Sequence, residues 1–239
     1  MSHGWILLRG LARECRYWGD FPERLGAPVQ CLELAGNGIY HRQASATTIA
    51  AMVEQLRQEV RLTGPVNLLG LSMGGMIATE WAARYPQEVA GLVLINSSCA
   101  LSPFWQRLRP GAQFGIWLAL LLPRKQREAL VYRLTCARPE HRHATLQDWV
   151  RYANQYPVAR SNFVRQLVAA ARYRLPAQAP SVSPLVLCSR GDRLVNPRCS
   201  HILARHWHTQ VYEHPRAGHD LPHDDPEWVL NKLASYVSR

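Results

Sequence analysis

The strongest constraint on the fold is an alternation. Short apolar runs recur along the chain, separated by stretches of helical periodicity: Trp5–Leu8, Val29–Leu34, Val66–Leu71, Val89–Ile95, Leu185–Cys188 and Gln210–Glu213. Most of them are apolar almost continuously, which is the pattern of strands buried on both faces in a parallel sheet covered by helices. Between the second and third runs, Ile49, Met52, Val53, Leu56 and Val60 repeat at helical spacing behind Ser45 and Thr47, which are placed to cap that helix. Gly64-Pro65 then ends it. The sequence therefore predicts an α/β fold with a mostly parallel sheet flanked by helices.

The alternation stops between Ser98 and Pro184. There the pattern is helical throughout, and it closes on the proline-spaced stretch Pro176–Pro184, which suits a semi-extended return linker. We expect a core formed by residues 1–97 and 184–239, interrupted by an inserted helical lid over 98–183. With 239 residues, 47% of them hydrophobic, the chain is long enough to bury such a core as one domain. No apolar run approaches the length needed to cross a bilayer. Phe114–Leu122 is the nearest candidate and reads as a buried or interfacial helix. Trp5-Ile6-Leu7-Leu8 follows the first four residues without a basic region or cleavage site, so no signal peptide is expected. The six cysteines (15, 31, 99, 136, 188 and 199) lack paired spacing and read as reduced thiols, which points to a cytoplasmic protein.

Charge is unevenly distributed. The chain carries 28 Lys and Arg against 17 Asp and Glu, net +11. Between Leu101 and Pro180 there are twelve arginines plus Lys125, against Glu128, Glu140 and Asp148, so nearly all the excess lies in the insertion. Its aromatic residues Trp105, Phe114, Trp117, Trp149, Tyr152, Tyr156, Phe163 and Tyr173 read as core or pocket lining, with Trp105 and Trp117 as candidate substrate contacts. The basic surplus points either to a solvated face or to a polyanionic partner. An acidic acyl carrier protein and anionic lipid are the partners to weigh. No nucleic-acid-binding module is recognisable.

One strand-to-helix junction carries the chemistry. Gly70-Leu71-Ser72-Met73-Gly74-Gly75 follows the third run and opens a helical segment. The pattern Gly-x-Ser-x-Gly fits a nucleophile elbow, in which a serine in strained backbone geometry needs small neighbours two residues away. The serine then stands at the head of a helix, where the Met73 amide and the helix dipole favour developing negative charge. A serine hydroxyl needs a base, and the base needs an orienting acid. Gly191-Asp192-Arg193-Leu194-Val195 follows the fifth run, and Ala217-Gly218-His219 follows the sixth.

With these three pieces in this order, the chain resembles the α/β-hydrolases, and the match covers nearly its whole length. The layout is also similar to small bacterial carboxylesterases and to pimeloyl-carrier-protein methyl ester esterases, which share a basic lid. The resemblance implies a Ser72–His219–Asp192 triad and an oxyanion hole from the amides of Met73 and Leu11, without a cofactor. Many relatives carry His-Gly where this chain has Arg9-Gly10. Arg9 is therefore either structural or a ligand for a substrate carboxylate or carrier phosphate. Many also have an antiparallel hairpin before the first strand; only four residues precede Trp5 here, so the sheet is expected to be shortened at that edge.

Other histidines compete. His214 lies nearer the sixth run and is the alternative base. His206, His208, His141 and His143 stand two apart, a spacing that does not share a helix face, and no ligand set completes them. The acidic pair of His223-Asp224-Asp225 precedes a helix from Glu227 to Val237 and is placed to cap it. The expected reaction is two-step hydrolysis of an ester or thioester, with activity rising with pH as the base loses its proton. Lactone opening, carbon–carbon bond hydrolysis and haloperoxidase-like chemistry use the same triad. A non-catalytic, anion-binding protein on the same scaffold is the competing class.

Overall fold

The computed structural model describes residues 3–237. Six strands, β1 (Trp5–Leu8), β2 (Val29–Leu32), β3 (Val66–Leu71), β4 (Val89–Ile95), β5 (Leu185–Ser189) and β6 (Val211–His214), form one sheet in the order β2-β1-β3-β4-β5-β6. Every neighbouring pair is parallel. The helices, in chain order, are α1 (Phe21–Arg24), α2 (Ile49–Glu59), α3 (Met73–Arg84), α4 (Phe104–Arg107), α5 (Pro110–Leu121), α6 (Arg124–Thr135), α7 (Arg142–Gln155), α8 (Arg160–Arg172), α9 (Arg198–His206), α10 (Leu221–Asp224) and α11 (Pro226–Val237).

The two faces of the sheet explain the continuous apolar strands. Successive side chains on a strand point to opposite faces. Ile6, Leu8, Leu68, Leu92 and Leu94 pack with α2, α3 and Leu203 of α9. Trp5, Leu7, Leu69, Leu71, Val93, Ile95 and Leu187 pack on the other side with Phe21 of α1 and Val229 and Leu233 of α11. Both faces are buried, so apolar residues fill most positions on either side of the strands. The α2 cap is Thr48, whose Oγ1 accepts from the Ala51 amide at 3.2 Å, and not Ser45 or Thr47. Ser45 is instead buried, with its hydroxyl donating to the Ala35 carbonyl. Of the acidic pair before α11, only Asp225 caps, accepting from the Trp228 amide at 3.1 Å. Asp224 faces inward.

Helices α4 to α8 all lie between β4 and β5. Among the contacts that fasten this insertion to the core, two are built on buried polar side chains of α6 and α8. Arg13, in the loop after β1, donates to Glu128 of α6 at 2.6 Å and lies over the rings of Tyr17 and Trp149. Burial would lower the Arg13 pKa, but the adjacent Glu128 carboxylate more than offsets it and the value is raised. Gln166 of α8, fully buried, accepts from the Ala12 amide at 2.8 Å and donates to Asn37 Oδ1 and Ser45 Oγ.

Candidate active site

In a parallel α/β sheet, the loops at the carboxyl ends of the strands share one edge and form the ligand crevice. Here those loops carry Arg9 after β1, Ser72 after β3, Asn96 after β4, Asp192 after β5 and His219 after β6.

Ser72 has φ 58° and ψ −118°, a conformation that costs a non-glycine residue about 1–3 kcal/mol. Close packing holds it there. A Cβ on Gly70 would lie 2.3 Å from the Gly74 carbonyl oxygen, and one on Gly74 would lie 2.0 Å from that of Leu8. The Ser72 amide donates to the Ile95 carbonyl at 2.9 Å, and its carbonyl accepts from Ser97 Oγ at 2.8 Å. The turn is thus pinned from β4 while α3 begins at Met73.

Asp192 and His219 are both buried and joined directly, His219 Nδ1 to Asp192 Oδ2 at 2.7 Å. The other carboxylate oxygen accepts from the Leu194 and Val195 amides at 2.7 and 2.9 Å, which fixes the acid's orientation. A neutral imidazole that donates through Nδ1 keeps Nε2 as its acceptor, the form a general base needs.

The histidine loop is braced by Asn96, which no sequence pattern marks, and by Asp224 and His214, for which the sequence suggests other roles. Asn96 Nδ2 donates to the His219 carbonyl at 2.8 Å, and Asn96 Oδ1 accepts from the Ser189 amide at 2.9 Å. Asp224 accepts from the Gly218 amide at 2.6 Å and from the Ala137 amide at 2.9 Å, tying the loop to the end of α6. His214 accepts at Nδ1 from the Ala217 amide at 2.8 Å and contacts Asp225 Oδ2 through Nε2 at 3.1 Å. With both ring nitrogens occupied, the alternative base shapes the loop that presents His219.

Arg9 forms a bidentate pair with Asp220, at 3.1 and 2.6 Å, with both side chains only 4% exposed. Its guanidinium also lies 4.7 Å from the Trp18 ring centroid. Burial would raise the Asp220 carboxyl pKa, but the charge and hydrogen bonds of Arg9 outweigh burial and hold it below the usual range. Asp220 adjoins His219, so the pair couples the loop after β1 to the histidine loop. No sequence pattern marks Asp220; its partner lies 211 positions away.

These loops open into a cavity of about 160 Å³, lined by Ser72, His219, Leu11 and Arg9 from the core. The insertion supplies apolar walls, including Ile116, Leu120, Val131, Leu134 and Phe163. Trp105 and Trp117, the expected substrate contacts, are not among the lining residues and are 63% and 57% exposed. For Trp117 the reason is the orientation of α5. Ala112, Gly115 and Ala119 are its buried positions, so Trp117 falls on the opposite side.

Among the described residues, two groups have ligand atoms close enough to share a metal ion: Cys136, His223 and Asp224, and Cys188, His201 and Glu213. In each, the carboxylate is already engaged, Asp224 by two backbone amides and Glu213 by His201 and Arg190. The paired histidines 141/143 and 206/208 belong to neither group. All six cysteines are free thiols.

A strained serine at a strand-to-helix turn, beneath a helical insertion and beside a buried acid–histidine pair, defines a class of hydrolytic folds. This chain belongs to the alpha/beta hydrolase family, whose model matches residues 1–232. It is 32% identical over 112 residues to a pimeloyl-[acyl-carrier protein] methyl ester esterase of Sodalis glossinidius, a match covering 44% of this chain and 41% of that protein. The first curated relatives are matched over between 22% and 41% of their own length. Among solved structures, the enol-lactonase of Burkholderia xenovorans LB400 aligns with a TM-score of 0.80 at 15% identity, covering 100% of this chain and 92% of that one. The 2-hydroxy-6-oxo-6-phenylhexa-2,4-dienoate hydrolase of Rhodococcus sp. strain RHA1 aligns at 0.78 and 19%, covering 100% and 91%. At such identities the likeness is one of fold.

Proposed function

We propose that this protein is a serine hydrolase cleaving carboxylic esters or thioesters through Ser72, His219 and Asp192. The carrying observation is the 2.7 Å bond between buried Asp192 and His219, in a cavity that His219 shares with the strained Ser72. His219 takes the hydroxyl proton as Ser72 attacks the carbonyl, and Asp192 stabilises the imidazolium that forms. The Met73 amide at the start of α3 and the Leu11 amide in the loop after β1 hold the oxyanion, where preorganised donors act strongly in a dry site. His219 then protonates the leaving alcohol or thiol, and the acyl-enzyme is hydrolysed by water. Arg9 acts as a tether in this scheme, because Asp220 already occupies its guanidinium fork. The apolar walls supplied by the insertion suit an aliphatic or aromatic acyl chain. The matched relatives of Sodalis and Neisseria, named as methyl ester esterases, support the ester reading.

The test is hydrolysis of short- and medium-chain p-nitrophenyl esters by wild type and Ser72→Ala. Loss of the nucleophile should lower turnover on the order of 10⁴-fold or more. Equal rates would overturn the proposal. Lactones belong in the same panel, since a lactone is an internal ester open to the same attack.

A further inference from the structure

The outer face of α5 is apolar and exposed. Phe114, Trp117 and Leu121 are 72%, 57% and 76% exposed, and their spacing of three and four places them along one side of the helix. Leu101, Phe104 and Trp105, which precede α5 in sequence, are exposed too, so six of the eight exposed large hydrophobic side chains among the described residues fall between positions 101 and 121. Single exposed apolar residues are ordinary, but a cluster of this kind marks a surface that leaves water for part of its working life.

The charge around it selects the partner. Between Glu88 and Glu128 the sequence contains no carboxylate side chain but five cationic ones, Arg107, Arg109, Arg124, Lys125 and Arg127. Arg109 and the Arg124–Lys125 pair bracket α5 at its two ends. Beside the N-terminus of α5 a groove is lined by Trp105, Arg109, Arg193 and Arg198, with no acidic residue in its wall. The Nε of Arg109 is buried without a partner. A helix that turns Phe114, Trp117 and Leu121 outward, with cations at its two ends, is suited to lie in the plane of an anionic bilayer, apolar side chains in the acyl boundary and cations at the headgroups. No helix among the described residues is long and apolar enough to cross a membrane.

We propose that the α5 face docks this protein onto anionic phospholipid bilayers, with Phe114, Trp117 and Leu121 entering the interface and Arg109, Arg124, Lys125 and Arg198 meeting phosphate headgroups. The opposite side of α5 lines the cavity through Ile116, Ala119 and Leu120. Docking therefore sets one helix between the bilayer and the reaction site. The inference deepens the ester-hydrolase reading by naming where the substrate is met: acyl esters partitioned into an anionic membrane surface. An acidic protein would match the cations as well; the outward row of Phe114, Trp117 and Leu121 with cations at both ends of α5 favours the bilayer, and vesicle binding separates the two.

The test uses the full chain and vesicles of phosphatidylglycerol or phosphatidylcholine. Co-sedimentation should show binding to phosphatidylglycerol that weakens at raised ionic strength, and tryptophan emission should shift to the blue as Trp117 leaves water. Phe114→Ser/Leu121→Ser should lower vesicle affinity on the order of tenfold or more, as should Arg124→Glu/Lys125→Glu. All four positions are exposed, and both variants should keep wild-type circular dichroism. Binding is also measured with Ser72→Ala, so a failed catalytic reading leaves this result intact. Equal binding to both vesicle types, or none to either, would overturn the proposal. So would a dimer in solution abolished by Phe114→Ser/Leu121→Ser, or vesicle-independent binding of a purified acyl carrier protein that the same substitutions remove.

Discussion

Replacing Arg9 with methionine removes the cation from a buried pair and leaves the Asp220 carboxylate with no other hydrogen-bond donor to its side chain among the described residues. Both side chains are 4% exposed, so the carboxylate is left largely desolvated. Stranding one member of such a pair costs about 3–5 kcal/mol. For a domain of this size, that corresponds to a fall in Tm of roughly 6–20 °C. The pH dependence identifies the cause. In the wild type, Arg9 holds the Asp220 pKa below its ordinary value. The pair's contribution is thus complete above the ordinary carboxylate value and lost only as pH falls through the lowered one. In the variant burial acts without the opposing guanidinium and raises that pKa, so the penalty is greatest at neutral pH and shrinks as pH falls and the carboxyl protonates. Arg9→Met/Asp220→Leu, which removes both charges, should recover most of the loss. Urea unfolding followed by circular dichroism at about pH 7 and at about pH 5 reads all of this. The reasoning is refuted if Arg9→Met leaves stability unchanged while KM rises, which would make Arg9 a substrate ligand instead.

Three further outcomes follow from the same geometry. Asn96→Ala should lower kcat more than KM, because the His219 carbonyl loses its anchor while the cavity walls are untouched; an unchanged kcat would exclude a positioning role. Gly74→Ala should destabilise the fold and lower turnover through the elbow, since its Cβ would meet the Leu8 carbonyl oxygen at 2.0 Å; a wild-type Tm would contradict that packing. Burial raises the Glu33 carboxyl to about 7 despite the hydrogen bond from the Cys15 amide. A raised carboxyl favours the fold below its unfolded value and loses that contribution as pH rises through the raised one, so Glu33→Gln should be relatively more stable than wild type at about pH 8 than at about pH 5. A constant difference in Tm across that range would refute it.

Much of the fold is legible because burial on both faces writes itself into sequence. Trp5–Leu8, Val66–Leu71 and Val89–Ile95 occur as strands with the expected bounds. Val29–Leu34 ends two residues early, where the chain turns after Leu32 toward Asn37. The elbow announces itself because Gly70 and Gly74 have no room for a side chain. What stays hidden are polar contacts between residues distant in sequence. Asp220 meets Arg9, Asn96 meets His219, and Gln166 meets Ala12, and none of these has a local spacing rule. The orientation of α5 is equally hidden. Its composition is apolar all round, so periodicity gives no inner face, and only packing through Ala112, Gly115 and Ala119 turns Trp117 outward.

The central claim is that the hydroxyl of residue 72 becomes nucleophilic because His219 accepts its proton. Treatment with a fluorophosphonate, followed by peptide mass spectrometry, tests that directly. One stoichiometric adduct on Ser72, with labelling abolished in His219→Ala, is the result expected. No adduct on Ser72 in a preparation that still hydrolyses esters, or unchanged labelling without the imidazole, would contradict it.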